Sequence, residues 1–453
     1  MNDTIIYNAL LINEGEKFKG YVVTDGPVLA RVGRGDASAD LIAACREAVD
    51  ARGSYLLPGV IDDQVHFRDP GLVHKGDIAT ESIAAVAGGV TSFMDMPNTK
   101  PPTVTQKALR EKLQHASEVS AANYSFFIGA TNDNMRELLE CDYKITPGVK
   151  LFLGSSTGNM LVDEESTLDR IFSEVPAIIA VHSEDEATIR ANRQRYESEC
   201  GGSVPVAMHP LIRSREACVL STRRAIERAE RCNTRLHVLH VSTADEVAMF
   251  SDAPLPEKRI TAEVCVHHLW FCDEDYARLG SRIKMNPAVK SRADRDALRQ
   301  GLRDGRIDIV ATDHAPHLPA EKEGDALTAA SGAPMVQFSL PVMLELADMG
   351  VFTHQLVVDK MCHAPARLYD IMGRGFIREG YMADLVLVKP GEAYTVTDDM
   401  VLSRCGWTPL AGTTLHNRVT DTWVNGHRAC RDGKVDDTVR GTELRYGGKQ
   451  LEN

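Results

Sequence analysis

Four apolar runs of the chain lead into a side chain able to ligate a metal: His66, His182, His240 and Asp313. Imidazole and carboxylate are donors that a borderline ion such as zinc accepts, and three or four of them define a site. A lone histidine at such a place is ordinarily a packed structural residue; four together make a metal the better reading. Lys150 sits in a fifth run, Gly148-Val149-Lys150-Leu151-Phe152. An ammonium repels a metal, but a buried lysine can lose its proton. The amine can then take up carbon dioxide as a carbamate, whose two oxygens can bridge two metals. Standing alone, Lys150 would read as a lysine paired with a carboxylate; among these ligands the carbamate is the better reading. Alternation at period two puts Gln64, His66 and Arg68 on one face of the first run.

The elements that would hold these residues follow a regular pattern. Apolar runs over 60–67, 91–96, 124–130, 148–153, 177–182, 236–242, 260–266 and 307–312 read as eight strands. Amphipathic stretches such as 106–120, 163–173 and 214–231 lie between them. Strand alternating with helix over this length predicts an α/β fold, a (β/α)8 TIM-like barrel, whose site gathers at the C-terminal strand ends. No GxGxxG follows an early strand, so a dinucleotide fold has no support. Short glycine-punctuated strands at both ends predict a small β-sandwich domain formed by both termini. The expected division is 1–55 plus 375–453 for that domain and 56–374 for the barrel, with a helix over 39–52.

Composition narrows the partners. With 51 Lys and Arg against 64 Asp and Glu, the formal charge is −13, which argues against broad binding to nucleic acid or an anionic membrane. The opening segment does not read as a signal peptide, and no stretch reaches the roughly 18 apolar residues of a span. The ten cysteines form no CxxC pair, so reduced thiols in a cytoplasmic protein are the simpler reading.

The same residues carry a family resemblance. Pro58-Gly59-Val60-Ile61-Asp62 leading to His66-Phe67-Arg68-Asp69-Pro70-Gly71 resembles the first-strand block of the amidohydrolase superfamily, and within it of the dihydroorotases. Asp95-Met96-Pro97-Asn98-Thr99, Lys150-Leu151-Phe152, Lys284-Met285-Asn286-Pro287 and Thr312-Asp313-His314-Ala315-Pro316-His317 are similar in the same way, as is the tail segment 380–388. The resemblance implies zinc, one or two ions per chain. His66 and Asp313 would hold one, His182 and His240 the other, with N6-carboxylated Lys150 between them. It implies that Arg68, Asn98 and His317 bind a substrate carboxylate, that Asn286 contacts the ring, and that Asp313 is the catalytic proton carrier. The substrate would be a small carboxylated cyclic amide, interconverted with N-carbamoyl-L-aspartate in pyrimidine synthesis. A homodimer and a mobile loop over 314–335 are also implied. One departure stands out: Gln64 occupies the first position of the family's His-x-His pair, which makes it a weak, neutral ligand at most.

Two other readings stay open. One is a cyclic amidase for rings without the carboxylate, such as a hydantoinase, dihydropyrimidinase or allantoinase. The other is a non-catalytic dihydroorotase-like binding or assembly protein, for which Gln64 is the main support. His237 is expected to pack on the opposite strand face from His240, His267 to line the pocket or be structural, and Glu184 and Asp185 to orient ligands from behind.

Overall fold

The computed structural model describes residues 3–154 and 160–448. Five strands open the chain: β1 (Thr4–Asn13), β2 (Glu16–Asp25), β3 (Val28–Arg34), β4 (Glu47–Asp50) and β5 (Tyr55–Pro58). The barrel strands follow as β6 (Val60–Val65), β7 (Val90–Asp95), β8 (Asn123–Phe126), β9 (Ile128–Gly129), β10 (Val149–Phe152), β11 (Ile179–His182), β12 (Leu236–Val238), β13 (Ile260–Cys265) and β14 (Ile309–Ala311). Four more close the described chain: β15 (Leu385–Thr395), β16 (Thr414–Val424), β17 (His427–Arg431) and β18 (Lys434–Val435).

β6 to β8 and β9 to β14 form two parallel ladders. β8 and β9 are successive pieces of one strand, so the eight expected strand positions are all filled. The ring closes between β14 and β6, where His66 N donates to His314 O at 2.7 Å and Thr312 Oγ1 donates to Asp62 Oδ2 at 2.6 Å. These strands are covered on both faces, which is why they read as near-continuous apolar runs; all four residues of β10 are buried, Lys150 included. Ile61, Met94, Ala180, Leu239 and Ile309, taken from strands around the ring, pack with Tyr369 in one cluster. Helix Arg215–Cys232 shows the local logic of the outer layer. Ser214 caps its start by accepting from Ala217 N, and Asn233 ends it in the left-handed region at φ 56°.

Strands from both termini join one nine-stranded mixed sheet, ordered β18-β17-β16-β15-β5-β1-β2-β3 with β4 on β1. β5 and β15 are the seam, pairing antiparallel from Pro58 against Leu385 to Tyr55 against Val388. Ile6, Leu11, Val22, Leu56, Leu385 and Trp423 pack together there. The helix expected over 39–52 is corrected. Only Ala39–Ala43 is helical, and it buries no residue. Glu47–Asp50 instead pairs in parallel with Thr4–Tyr7 of β1, because an unpaired strand edge offered hydrogen bonds and burial for Val49 that the helical register lacked. Among the described residues, no helix is long and apolar enough to cross a membrane.

One buried ion pair holds the barrel beside the site. Lys112 bonds Asp95 at the end of β7, with side chains 2% and 0% exposed, and Asp95 Oδ1 also accepts from Phe67 N at 2.8 Å. Asp95→Asn leaves the Lys112 charge buried and uncompensated. The expected loss of stability is about 3–5 kcal/mol, read as a fall in the urea midpoint at unchanged slope.

Candidate active site

The strand ends converge on one small cavity lined by Gln64, His66, Arg68, Lys150, Phe152, His182, His240, Asn286 and Asp313, with Ser331 and Gly332 across it. About 30 Å³ of it is free. Two features aim these residues. The β6–β7 register shifts between Asp62 and Val65, and buried Asp62 accepts from Gln64 N at 3.3 Å and Thr312 N at 3.2 Å, tying the first strand end to the eighth. Arg68, His240 and Asp313 also adopt positive φ, at 70°, 40° and 46°. That region costs non-glycine residues of order 1–3 kcal/mol and collects at functional sites.

The ligand-type groups meet in pairs. His66 Nε2 lies 3.0 Å from Asp313 Oδ1, and Gln64 Nε2 donates to the same oxygen at 3.3 Å. Burial pushes the Asp313 pKa up, but the hydrogen bond and charge of His66 outweigh it and hold the carboxyl below its usual range. His182 Nδ1 faces His240 Nε2 at 3.0 Å. Burial lowers the pKa of both rings, so each is neutral at physiological pH. Behind them, Glu184 Oε2 lies 3.0 Å from His182 Nε2 and pairs with Arg213. Lys150 is 1% exposed, and burial pulls its pKa from 10.5 down to about 7 against the opposing pull of Asp313 and Glu263. Its Nζ lies 4.7 Å from the Phe152 ring centre. Two neutral imidazoles facing nitrogen to nitrogen, a carboxylate beside a third, and a lysine amine easily freed of its proton form a donor set that fits a divalent metal. Glu184→Gln is expected to weaken metal affinity about 10–100-fold, the usual effect of losing a ligand's orienting partner, as read by competition with a chelator.

A second group sits beside these. Arg68 Nη2 lies 3.1 Å from His317 Nε2, and Arg68 Nε donates to Pro316 O at 3.2 Å. The nearby carboxylates are engaged elsewhere: Asp95 with Lys112, Asp69 with His115. Lys75 Nζ is 3.2 Å from His317 Nδ1. Burial and then the Arg68 and Lys75 charges drive the His317 pKa far down, so the ring is neutral. Asn286 faces the cavity with its Oδ1 3.1 Å from His209 Nε2. Asn98, just beyond β7, is buried but does not line the cavity, and neither does His317. Segment 314–335 crosses the site, held by Lys322 Nζ donating to the carbonyls of Ala330 at 2.7 Å and Gly332 at 2.8 Å.

Several neighbours escaped the sequence reading. Lys75, His209 and Glu263 carry no motif of their own; a charged residue inside an apolar run was the one visible signal at Glu263. Asp62 stood in the first-strand motif, but nothing there showed that it ties two strand ends together. His237, expected to pack, instead lies 3.5 Å from Asp63 and 3.7 Å from Glu263. Burial disfavours its cation, but those two acids raise its pKa to about 9. Among the described residues, ligand atoms of Asp63, His237 and Glu263 lie within 4.8 Å of one another, as do those of Cys265, His267 and His268. Both groups accord with a metal-binding protein, and neither is the set the resemblance implied. His267 does not line the cavity.

A closed parallel barrel with imidazole, carboxylate and lysine donors at its strand ends defines a class of metal-dependent hydrolases. The Amidohydrolase family profile matches residues 55–429. The chain belongs to the amidohydrolase family, and it is a hydrolytic enzyme of the cyclic-amide type. It is 38% identical over 368 residues to a dihydroorotase of Halobacterium salinarum, covering 80% of this chain and 84% of that one. It is 34% identical over 397 residues to an allantoinase of Streptomyces avermitilis, covering 86% and 87%. Its fold is similar to L-hydantoinase (dihydropyrimidinase) from Arthrobacter aurescens, with a TM-score of 0.90 at 26% identity over 96% of this chain and 98% of that one.

Proposed function

We propose that the protein is a zinc-dependent dihydroorotase, interconverting dihydroorotate and N-carbamoyl-L-aspartate. The observation that carries this reading is Arg68: a guanidinium 3% exposed at the cavity wall, with a neutral imidazole and a carbonyl as its partners. A buried cation in that state is costly unless an anion arrives. A ring carboxylate would supply the charge and a two-pronged hydrogen bond. Hydantoin and dihydrouracil would leave Arg68 uncompensated.

His66 and Asp313 would hold one ion, His182 and His240 another, and Lys150, once carboxylated, would lie between them; Gln64 offers an amide oxygen at most. A bound zinc supplies Lewis acidity and makes water more acidic at neutral pH. The chain's own groups do the rest. Arg68 fixes the ring through its carboxylate, with His317 holding the guanidinium at 3.1 Å, and Asn286 meets the ring edge; Asn98, which does not line the cavity, takes no part in the clamp. Asp313 is ionised at neutral pH, so it accepts a proton from water as the oxygen adds to the ring carbonyl carbon. It then delivers that proton to the ring nitrogen as the carbon–nitrogen bond breaks. The reverse sequence closes the ring. The cavity is small, about 30 Å³, and Ser331 and Gly332 of segment 314–335 form part of its wall, so on this reading that segment would give way as the substrate enters.

A second reading has its own support. The L-hydantoinase (dihydropyrimidinase) of similar fold, at 26% identity, supports a ring without the carboxylate. The two readings separate in one assay of the zinc-loaded, bicarbonate-treated chain on L-dihydroorotate, dihydrouracil, hydantoin and allantoin. The dihydroorotase reading expects kcat/KM for dihydroorotate to exceed the others by about 10²-fold or more. Preference for hydantoin or dihydrouracil establishes the second reading. Absence of turnover on all four, and of ring closure, by metal-replete protein overturns both readings.

A further inference from the structure

Cys265 closes β13, and His267 and His268 stand in the helical turn Val266–Trp270 that follows. All three are at most 2% exposed, and one ligand atom from each lies within 4.8 Å of the other two. His268 Nε2 is 3.1 Å from the Pro287 carbonyl. A carbonyl only accepts, so Nε2 carries the proton and Nδ1 keeps a bare lone pair. Among the described residues nothing hydrogen-bonds that Nδ1, and His267, whose ring meets the Thr312 backbone on one side, keeps a ring nitrogen without a partner. A buried polar group left unmatched costs about 1–3 kcal/mol, and such groups are rare enough to call for an occupant. An imidazole whose far nitrogen donates to a backbone carbonyl also has the usual orientation of a metal ligand.

We propose that Cys265, His267 and His268 form a further cation site, taking a zinc-class ion through one sulfur and two nitrogens and sharing no residue with the barrel-mouth ligands. Thiolate and imidazole donors select zinc and its soft neighbours over magnesium or calcium, which prefer oxygen. Binding releases the thiol proton to solvent. Cys265 Sγ lies 3.9 Å from Gln64 Oε1, so the site backs onto the cavity wall at Gln64. The neighbouring Asp63–His237–Glu263 group is different: its imidazolium is already compensated by two carboxylates.

Sulfur makes the proposal testable apart from activity, because the barrel-mouth set contains none. The full-length chain, stripped of metal and reloaded with cobalt(II), is expected to show a near-ultraviolet sulfur-to-cobalt charge-transfer band. Cys265→Ser is expected to abolish that band and lower bound cobalt by one equivalent, while the ligand-field bands of the mouth ions persist. X-ray absorption at the zinc edge of the zinc-reloaded wild-type chain does not depend on the variant folding, and should resolve a zinc–sulfur shell at about 2.3 Å. A zinc shell of nitrogen and oxygen alone, or a cobalt charge-transfer band unchanged in Cys265→Ser, overturns the proposal.

Discussion

Arg68→Met is expected to lower kcat/KM for dihydroorotate by roughly 10²–10³, mostly through KM. Removing one side of a buried, hydrogen-bonded charge pair costs about 2–5 kcal/mol, and each 1.36 kcal/mol is a factor of ten. The guanidinium would meet the substrate carboxylate in ground and transition states alike, so its loss falls chiefly on binding. Turnover of dihydrouracil or hydantoin should not fall, because those rings give Arg68 no partner. Stability should move the other way. Arg68 is buried, and burial lowers its pKa against the pull of Asp313, Asp95, Glu321 and Glu81. Replacing that cation with an apolar side chain should leave the melting temperature unchanged or raise it, the trade expected of a residue kept for function. Equal losses on all substrates, or a marked drop in melting temperature, would make Arg68 a structural residue and remove the main support for a carboxylated substrate.

The second large effect concerns Lys150. Lys150→Ala is expected to reduce turnover by about 10³-fold or more, because on the proposed reading Lys150 would be a metal ligand, and its loss would forfeit several kcal/mol of transition-state stabilisation. The carbamate makes a sharper prediction through pH. Only the neutral amine takes up carbon dioxide, and burial lowers the amine pKa from 10.5 to about 7. Metal-stripped protein reloaded with zinc at fixed dissolved carbon dioxide should therefore regain activity at a rate independent of pH above about 8. Below about 7, where the amine is protonated, the rate should fall about tenfold per pH unit. An exposed lysine would instead give a rate still climbing toward pH 10. Recovery that ignores both pH and bicarbonate would show that Lys150 acts as an amine or does not act at all.

The barrel was legible in the sequence because its signals are local. A strand covered on both faces must be apolar throughout, and a residue at its C-terminal end can be polar because it faces the barrel mouth. The spacing of such runs with helices between them points to one fold, and His66, His182, His240 and Asp313 could be placed at strand ends, and Lys150 within a strand, by reading along the chain. The terminal strands were legible as segments for the same reason. Pairing was not. That β5 meets β15, and that Glu47–Asp50 leaves its helix to join β1, depends on which edge is free in three dimensions. Local propensity carries no record of that. The state of Arg68 was equally out of reach. From the sequence a salt bridge to Asp95 or Asp69 stood as the lesser alternative to a substrate contact; the structure gives those carboxylates to Lys112 and His115 and leaves Arg68 facing the cavity. Cys265, His267 and His268 stand side by side in the sequence, but whether their lone pairs are used is decided by the Pro287 carbonyl, brought to His268 from 19 residues away. Periodicity is a property of neighbours along the chain, whereas compensation of a charge or a lone pair belongs to whatever the fold brings beside it.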